Sequence, residues 1–471
     1  MFTGANGKYN LDSIKSYIVG YDKSVPLLNG ESKRYINFDN AASTPTLRPV
    51  LDTVNEFMNW YSSIHRGTGF KSQLSTHLYE QSRDIVRQFF NVHDDEHTII
   101  FGKNATEAIN KLARRIPLRD DSVILVSKME HHSNDLPWRM RAKVVHVDVD
   151  GSGRLNMDDL KQKLDKYEGR IQLVAITGAS NVTGFINPMK DIARMVHAHG
   201  AELMVDAAQL APHRAIDMGA QDDPAHIDYL AFSAHKIYAP FGLGVLVANR
   251  KAFSEGSPDY VGGGTVDIVS IDHVFWTDVP EKEEAGTPNV VGAIALAKAL
   301  QVVSEIGMDQ IAAHEARLTA YSLKKMKKIP GMMIYGSIDE SEAENRLGVI
   351  SFNLLNKDHA LVAAIMNYES GVGVRNGCFC AHPYIKCLLG VTVDENLQLE
   401  ERILHKDRSL IPGAVRMSFG MYNDESEIDQ FIEMIEKIAR DEFKGKYRQE
   451  KCTGEYKPEN FDLKFDQYFK L

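Results

Sequence analysis

From about residue 98 onward, short apolar runs alternate with amphipathic stretches. The runs are TIIF at 98–101, VILV at 123–126, IQLVAIT at 171–177, LMV at 203–205, YLAF at 229–232 and LGVLV at 243–247. Rich in β-branched and aliphatic residues and bounded by polar residues or glycine, they read as strands buried on both faces. The intervening stretches carry apolar residues at helical spacing. Ile109, Leu112 and Ile116 make one stripe; Ile192 and Val196 make another, stopped at Gly200, a residue suited to closing a helix. Regular alternation of strand and helix predicts an open, mostly parallel sheet with helices on both faces. Ligands of such sheets bind beyond the carboxyl ends of the strands.

The pattern changes near residue 290. Residues 291–305 form one long apolar helix, and a second helix is expected over 309–328. Strands follow at 331–335 and 347–354, a helix–strand pattern at 358–375, a strand at 414–419 and a closing helix at 424–440. The expected organisation is an N-terminal arm over 1–34 packing with the small domain, a large domain over 35–299, a smaller α+β domain over 300–445 and a tail over 446–471. The arm opens on a short amphipathic stretch (Leu11, Ile14, Ile18), and the tail is charged and aromatic, either a docked arm or a frayed end.

Composition narrows the function classes. The chain has 471 residues, of which 44% are hydrophobic and 25% charged, ordinary globular proportions. Lys+Arg total 54 against Asp+Glu 64, a net charge of -10, which argues against a general nucleic-acid binder. The four cysteines, Cys378, Cys380, Cys387 and Cys452, all lie in the last quarter and make no disulfide framework. The first ten residues lack a basic-then-apolar leader, and no apolar run nears the roughly 20 residues that span a bilayer. A cytoplasmic protein with no membrane partner is expected.

Chemistry collects after the predicted strands. TIIF is followed by Gly102-Lys103-Asn104-Ala105-Thr106-Glu107, opening a helix whose free N–H groups suit a phosphate. VILV leads into Glu130-His131-His132, IQLVAIT into Ser180-Asn181, LMV into Asp206-Ala207-Ala208-Gln209, and YLAF into Ser233-Ala234-His235-Lys236. Taken singly, each has a plainer reading: a helix cap, a packed histidine, a solvated lysine. Together they place a phosphate cup, an imidazole, an amide, a carboxylate and a lysine at one sheet edge. That inventory meets the needs of pyridoxal 5'-phosphate, which takes a lysine for its aldehyde, an acid for its ring nitrogen and donors for its phosphate and phenolic oxygen.

These segments, with Phe38-Asp39-Asn40-Ala41-Ala42, Ile64-His65-Arg66-Gly67, Gly286-Thr287-Pro288 and Val415-Arg416-Met417-Ser418, resemble the class V aminotransferase family of fold-type I pyridoxal-phosphate enzymes. They are most similar to its cysteine desulfurase and selenocysteine lyase branch. The resemblance spans roughly residues 35–440 and implies an α/β fold with a seven-stranded-type sheet and a smaller C-terminal domain. It implies roles as well. Lys236 would hold the cofactor covalently, His131 would stack on its ring, Asp206 would pair with the ring nitrogen and Gln209 would donate to the phenolic oxygen. Asn181 would lie beside the ring and the substrate carboxylate. Ala105, Thr106, Ser233 and His235 would bind the phosphate. Thr287 would reach the phosphate of a second subunit, implying a homodimer with shared sites. His65, Arg375 and Arg416 would serve the amino-acid substrate, Arg416 as the clamp on its carboxylate. No metal ligand set is expected. The Gly262-Gly263-Gly264 run resembles a family loop near the dimer interface; otherwise it is a simple turn.

Residues 374–384 read VRNGCFCAHPY. In the desulfurases an arginine is followed five residues later by the persulfide-forming cysteine, so from Arg375 the resemblance points to Cys380, with Cys378 extra. Three other readings of the pair stay open: a metal site with His382, inert packing, and a redox couple. The chain also departs from the family. The stretch between Cys380 and Arg416 is longer, and the phosphate cup reads NATE. The expected function is therefore desulfuration of L-cysteine (or release of selenium from L-selenocysteine) through an enzyme persulfide, with a sulfur-acceptor protein as a candidate partner. The alternatives are C–S β-elimination, transamination or epimerisation with Cys380 as bystander, or a non-enzymatic scaffold.

Overall fold

The computed structural model describes residues 9–92 and 96–471. Two compact units emerge. The first comprises the described residues of 9–19, 43–181 and 185–313; the second comprises 20–42, 182–184 and 314–471. The first unit thus runs past residue 299, and the segment before residue 35 divides at Val19. No single helix among the described residues is long and apolar enough to cross a membrane.

The first unit is built on seven strands: β1 His97–Gly102, β2 Val123–Ser127, β3 Lys143–Val147, β4 Ile171–Thr177, β5 Glu202–Asp206, β6 Tyr229–Ser233 and β7 Gly244–Asn249. Their order is β1-β7-β6-β5-β4-β2-β3. β2, β3, β4, β5 and β6 are mutually parallel, and β7 is antiparallel to both of its neighbours. The short return from Ser233 to Gly244 explains that reversal, since a parallel pair needs a longer crossover. Every residue of β2, β6 and β7 is buried, as continuous apolar runs require. Ile109, Leu112 and Ile116 pack with Ile124, Val126, Leu173, Met204 and Leu246 in one core.

Two elements of this unit had no signal in the apolar pattern. β3 (KVVHV) is a half-exposed edge strand. The helix Phe70–Phe89 buries Ser72, Ser75, Ser82 and Arg83 beside Tyr79 and Val86, so its inner face carries little apolar periodicity. It packs against Val290–Ile306, a helix that is apolar nearly all round and correspondingly buried.

The second unit holds a four-stranded antiparallel sheet of β8 Met332–Tyr335, β9 Val349–Leu354, β10 Arg375–Gly377 and β11 Ala414–Ser418, in the order β8-β9-β11-β10. The helices His359–Ser370 and Glu425–Ala439 contribute Val362, Ile365, Phe431 and Ile435 to its core with Ile350, Phe352, Val415 and Met417. Ile36–Asn37 pairs in parallel with Val372–Gly373, which ties the early segment to this unit. The tail is docked rather than frayed along its first part. It forms a hairpin of Tyr447–Gln449 with Tyr456–Pro458. Glu369 accepts from Lys444 N, Gly445 N and Tyr447 Oη at 2.9, 2.8 and 3.0 Å.

Candidate active site

In the first unit, the parallel strands deliver their carboxyl ends to one edge, and the candidate cofactor-binding residues cluster just beyond those ends. After β1, Asn104 caps the helix Ala105–Arg115 by accepting Glu107 N–H at 2.9 Å. Glu107 would oppose an anion at this terminus, but its Oε2 accepts Lys103 N–H at 2.5 Å. Ala105 N–H donates to Ser233 Oγ at 2.8 Å, so one donor from the β1 turn and one from the β6 end already meet. Thr106 Oγ1 and Ser133 Oγ are 2.7 Å apart; Ser133 is a hydroxyl of this cup that was not among the expected site residues.

Close approach makes the cup. Gly244 opens β7 and pairs with Gly102 on one side and Ser233 on the other. A Cβ there would fall 2.2–2.4 Å from the backbone C, Cα and O of Asn104. Gly244→Ala is therefore expected to cost about 1–3 kcal/mol through forced backbone movement and to weaken cofactor binding. Denaturant melts and cofactor titration check this; unchanged stability and affinity would refute the tight-cup argument.

After β2, His131 caps a short turn, its Nδ1 accepting Ser133 N–H at 3.1 Å. A neutral His131 then carries its proton on Nε2. The adjacent Glu130 is buried and binds three segments together. It accepts from Ser127 Oγ at 2.5 Å, Asn134 Nδ2 at 2.7 Å and Thr177 N at 2.9 Å. Burial pushes its carboxyl up to about 8, against the pull of those hydrogen bonds and with a further push from the Asp206 charge. Glu130 was not expected in the site either.

Asp206 ends β5 and is buried, its Oδ1 accepting Ala208 N–H at 2.9 Å. Burial raises its carboxyl, while Ala208 N–H and the Lys236 charge lower it. Gln209 and Asn181 are buried as well. Lys236 stands in the turn Ala234–Lys236 directly after β6. Thr44 pins that turn: its N–H and Oγ1 donate to the His235 carbonyl at 3.0 and 3.2 Å, and Tyr238 N–H donates to Thr44 Oγ1 at 2.7 Å. Burial, then the neighbouring Lys236 charge, push the His235 imidazole down to about 4, so it is neutral near pH 7 and keeps one N–H to donate. Thr287 is exposed. His65 adopts φ +68 and lies 3.4 Å from Glu80.

This donor set fits pyridoxal phosphate. The fit rests on a buried carboxylate opposed by a lysine, a helix N-terminus ringed by hydroxyls, and an imidazole held in one tautomer.

The second unit holds Asp39, Arg375, Arg416 and Cys380. Arg375 and Arg416 are directly opposed across β10 and β11, an arrangement unfavourable for like charges. Asp39 bridges them. Its Oδ1 lies 2.9 Å from Arg416 Nη2 and its Oδ2 lies 3.9 Å from Arg375 Nη1. Arg416 is buried and its guanidinium carbon is 4.8 Å from the Phe379 ring centre. Burial lowers its pKa while Asp39 raises it. Two arginines on one acid leave a net positive charge, suited to a carboxylate. Asp39 and Phe379 were not expected in this group. Asp39 lies in the FDNAA segment and Phe379 in VRNGCFCAHPY, but nothing local in either segment reveals the pairing.

The two cysteines differ sharply. Cys378 is buried, its Sγ donates to the Pro412 carbonyl at 2.9 Å, and burial pushes the thiol up to about 11. Cys380 is exposed. Phe379 and Cys380 both take left-handed backbone, at φ +52 and +55, which costs roughly 1–2 kcal/mol per non-glycine residue. The stretch after Cys380 forms the helices His382–Leu388 and Val393–Leu404; the latter has no buried residue. Beyond it, Arg408, Ser409 and Ile411 join Asp39, Arg375 and the tail's Gln449 around a cavity of about 360 Å³.

The family model "Aminotransferase class-V" matches residues 36–431. A protein named "Probable cysteine desulfurase" from Halalkalibacterium halodurans is 32% identical over 437 residues, covering 91% of this chain and 98% of that protein. A "Cysteine desulfurase" from Dickeya dadantii is 33% identical, covering 92% and 97%. The apo structure of a cysteine desulfurase from Thermococcus onnurineus NA1 superposes with a TM-score of 0.77 at 30% identity, covering 93% of this chain and all of that one. With the match over most of its length and relatives this similar, the chain belongs to the class-V aminotransferase family.

Proposed function

We propose that this protein is a pyridoxal-phosphate-dependent cysteine desulfurase, converting L-cysteine to L-alanine and leaving the sulfur on Cys380. The observation that carries this reading over other reactions of the family is the contrast between the exposed Cys380 and the buried Cys378. The relatives' names support it independently.

When bound, pyridoxal phosphate supplies an electron sink for charge developing on the substrate carbons. The chain's own residues do the rest. Asp206 offers its buried carboxylate to the ring nitrogen, and Gln209 donates to the phenolic oxygen. Ala105, Thr106, Ser133, Ser233 and a neutral His235 surround the phosphate. Arg416, steadied by Asp39, is proposed as the clamp on the substrate carboxylate, with Arg375 opposite it on the neighbouring strand; the family resemblance assigns Asn181 and His65 to the substrate as well. Lys236 Nζ takes the proton from the substrate Cα. The Cys380 thiolate then attacks the substrate sulfur: a new S–S bond forms, the Cβ–S bond breaks, and its electron pair stays on carbon. His131, with its proton on Nε2, and Lys236 return protons to yield alanine.

A homodimer is part of the proposal. Exposed Thr287 suits contact with a second subunit's phosphate, and the hairpin Val266–Val269/Val274–Trp276 exposes Ile268, Val269, Val274 and Phe275. The exposed helix Val393–Leu404, presenting Val393, Leu397 and Leu404, supports a protein sulfur acceptor as partner.

The test is product analysis of cofactor-loaded protein with L-cysteine and a reductant. Alanine and sulfide in equal amounts are expected. Pyruvate with sulfide would mean β-elimination and would remove Cys380 from the chemistry; alanine from L-selenocysteine alone would reassign the substrate.

A further inference from the structure

At the amino-terminal edge of the parallel sheet, away from Asp206, Ser233 and Lys236, three side chains converge. His197 lies in the last turn of the helix Met189–Ala198, before β5; His226 and Asp228 lie in the loop entering β6. All three are largely buried, with side-chain exposures of 16%, 10% and 7%. His197 Nε2 is 2.9 Å from Asp228 Oδ2, and His226 Nε2 is 3.0 Å from Asp228 Oδ1. The two imidazoles stack with centres 4.1 Å apart at 17°.

The other ring nitrogens decide what this cluster is. His197 Nδ1 faces the Pro224 carbonyl at 2.8 Å, and His226 Nδ1 faces the Asp223 carbonyl at 2.7 Å. A carbonyl only accepts, so each Nδ1 carries its hydrogen. In a neutral ring the Nε2 is then a lone pair, and both lone pairs are aimed at one carboxylate. Without a cation, each Nε2–Oδ contact needs its own proton, carried either on the stacked imidazoles or on the Asp228 carboxyl. A metal ion between the three groups removes that requirement and leaves both rings neutral. Histidine ligands whose second nitrogen donates to a backbone carbonyl are the usual supporting arrangement for bound metal. The Leu203 N–H, donating to Asp228 Oδ2 at 2.8 Å, orients the carboxylate in the same way.

We propose that His197 Nε2, His226 Nε2 and the Asp228 carboxylate form a structural zinc site. The three ligand atoms lie within 4.8 Å of one another. Tetrahedral zinc, with bonds of about 2.0–2.2 Å, holds its ligands about 3.4 Å apart, so small outward shifts seat the ion. Two nitrogens and one oxygen select zinc over calcium or magnesium, which prefer all-oxygen shells. Water completes the fourth position on the partly exposed His197 side. The ion would clip the helix Met189–Ala198 to the loop before β6. Its position at the opposite ends of the strands from Lys236 makes it a support for the sheet and not part of the chemistry. No regular ligand spacing marks it in the sequence.

The test uses the full-length, cofactor-loaded protein, chelator-stripped, with its thiols alkylated so that cysteine does not compete. One zinc per chain is expected after gel filtration and elemental analysis, with a rise in the thermal midpoint. His197→Gln, His226→Gln and Asp228→Asn should each weaken zinc binding by at least about 100-fold, since removing a ligand exceeds the 10–100-fold loss from removing its support. His199→Gln, two residues away, should bind zinc like the wild type. No stoichiometric zinc on the alkylated wild type, or variants that bind it equally well, would overturn the site. If a variant does not fold, cobalt(II) on the alkylated wild type decides: two paramagnetically shifted imidazole resonances support the site, and their absence refutes it.

Discussion

Replacing Lys236 by alanine should lower kcat with L-cysteine by at least about 10³-fold, within the range that a positioned proton-transfer group contributes, and should abolish covalent cofactor attachment. The expectation rests on the turn that carries the residue. Lys236 comes just after a fully buried strand, and Ser43 and Thr44 fix the carbonyl of the preceding His235. Its amine is therefore delivered by rigid backbone and not by a mobile loop. Its charge also opposes the buried carboxylate of Asp206. Removing it leaves that acid with one fewer compensating partner, and a buried acid without compensation is costly. The cofactor's absorbance and the kinetics are to be read together. A variant that keeps both bound cofactor and kcat within tenfold would end the assignment. Loss of folding alone is detected by comparing secondary structure with that of Asp206→Asn, which keeps the lysine and a side chain of the same size.

Cys380→Ser should lower persulfide formation and turnover by at least about 100-fold, because a serine hydroxyl is a far weaker nucleophile toward sulfur than a thiolate. Cys378→Ser should change turnover by no more than about twofold and cost about 1 kcal/mol of stability through its buried contact with Pro412. The two thiols are only two residues apart, so this contrast is a matter of environment. With its thiol pushed to about 11 by burial, Cys378 is about 0.1% thiolate at pH 8, three units below. Cys380 is exposed on a left-handed turn whose preceding residue, Phe379, lies against the Arg416 guanidinium. Mass mapping of persulfide after a single turnover should place the added sulfur on Cys380. Sulfur on Cys378, or unchanged alanine formation by Cys380→Ser, would exclude the proposed path.

The apolar runs made much of the first unit legible. VILV, IQLVAIT and YLAF lie in strands buried throughout or nearly so, and the polar chemistry sits in the turns just past their ends. Strand burial is written locally, in the composition of four to seven neighbouring residues. The helix Phe70–Phe89 was not legible because four of its six buried residues are polar, namely Ser72, Ser75, Ser82 and Arg83, suited to close packing and ion pairing more than to hydrophobic burial. β3 was missed because an edge strand with one wet side needs no continuous apolar run. The reversed direction of β7 was also hidden, since direction depends on connection length and packing.

The sequence by itself determined the alternation of strand and helix, the sheet edge at which Asp206, Ser233 and Lys236 gather, and the family resemblance those segments carry. Only the tertiary structure decided which charges meet. Asp39 reaches Arg416 across 377 positions, Arg375 opposes Arg416 through strand register, and His197 meets His226 and Asp228 by the packing of a helix against a loop. The spacing from Arg375 already singled out Cys380; burial of Cys378 against exposure of Cys380 adds the physical contrast between the two thiols. Periodicity reports how a residue faces its near neighbours along the chain. Pairing, burial of a thiol and convergence of ligands are set by distant segments, and distant contacts leave no period in the sequence.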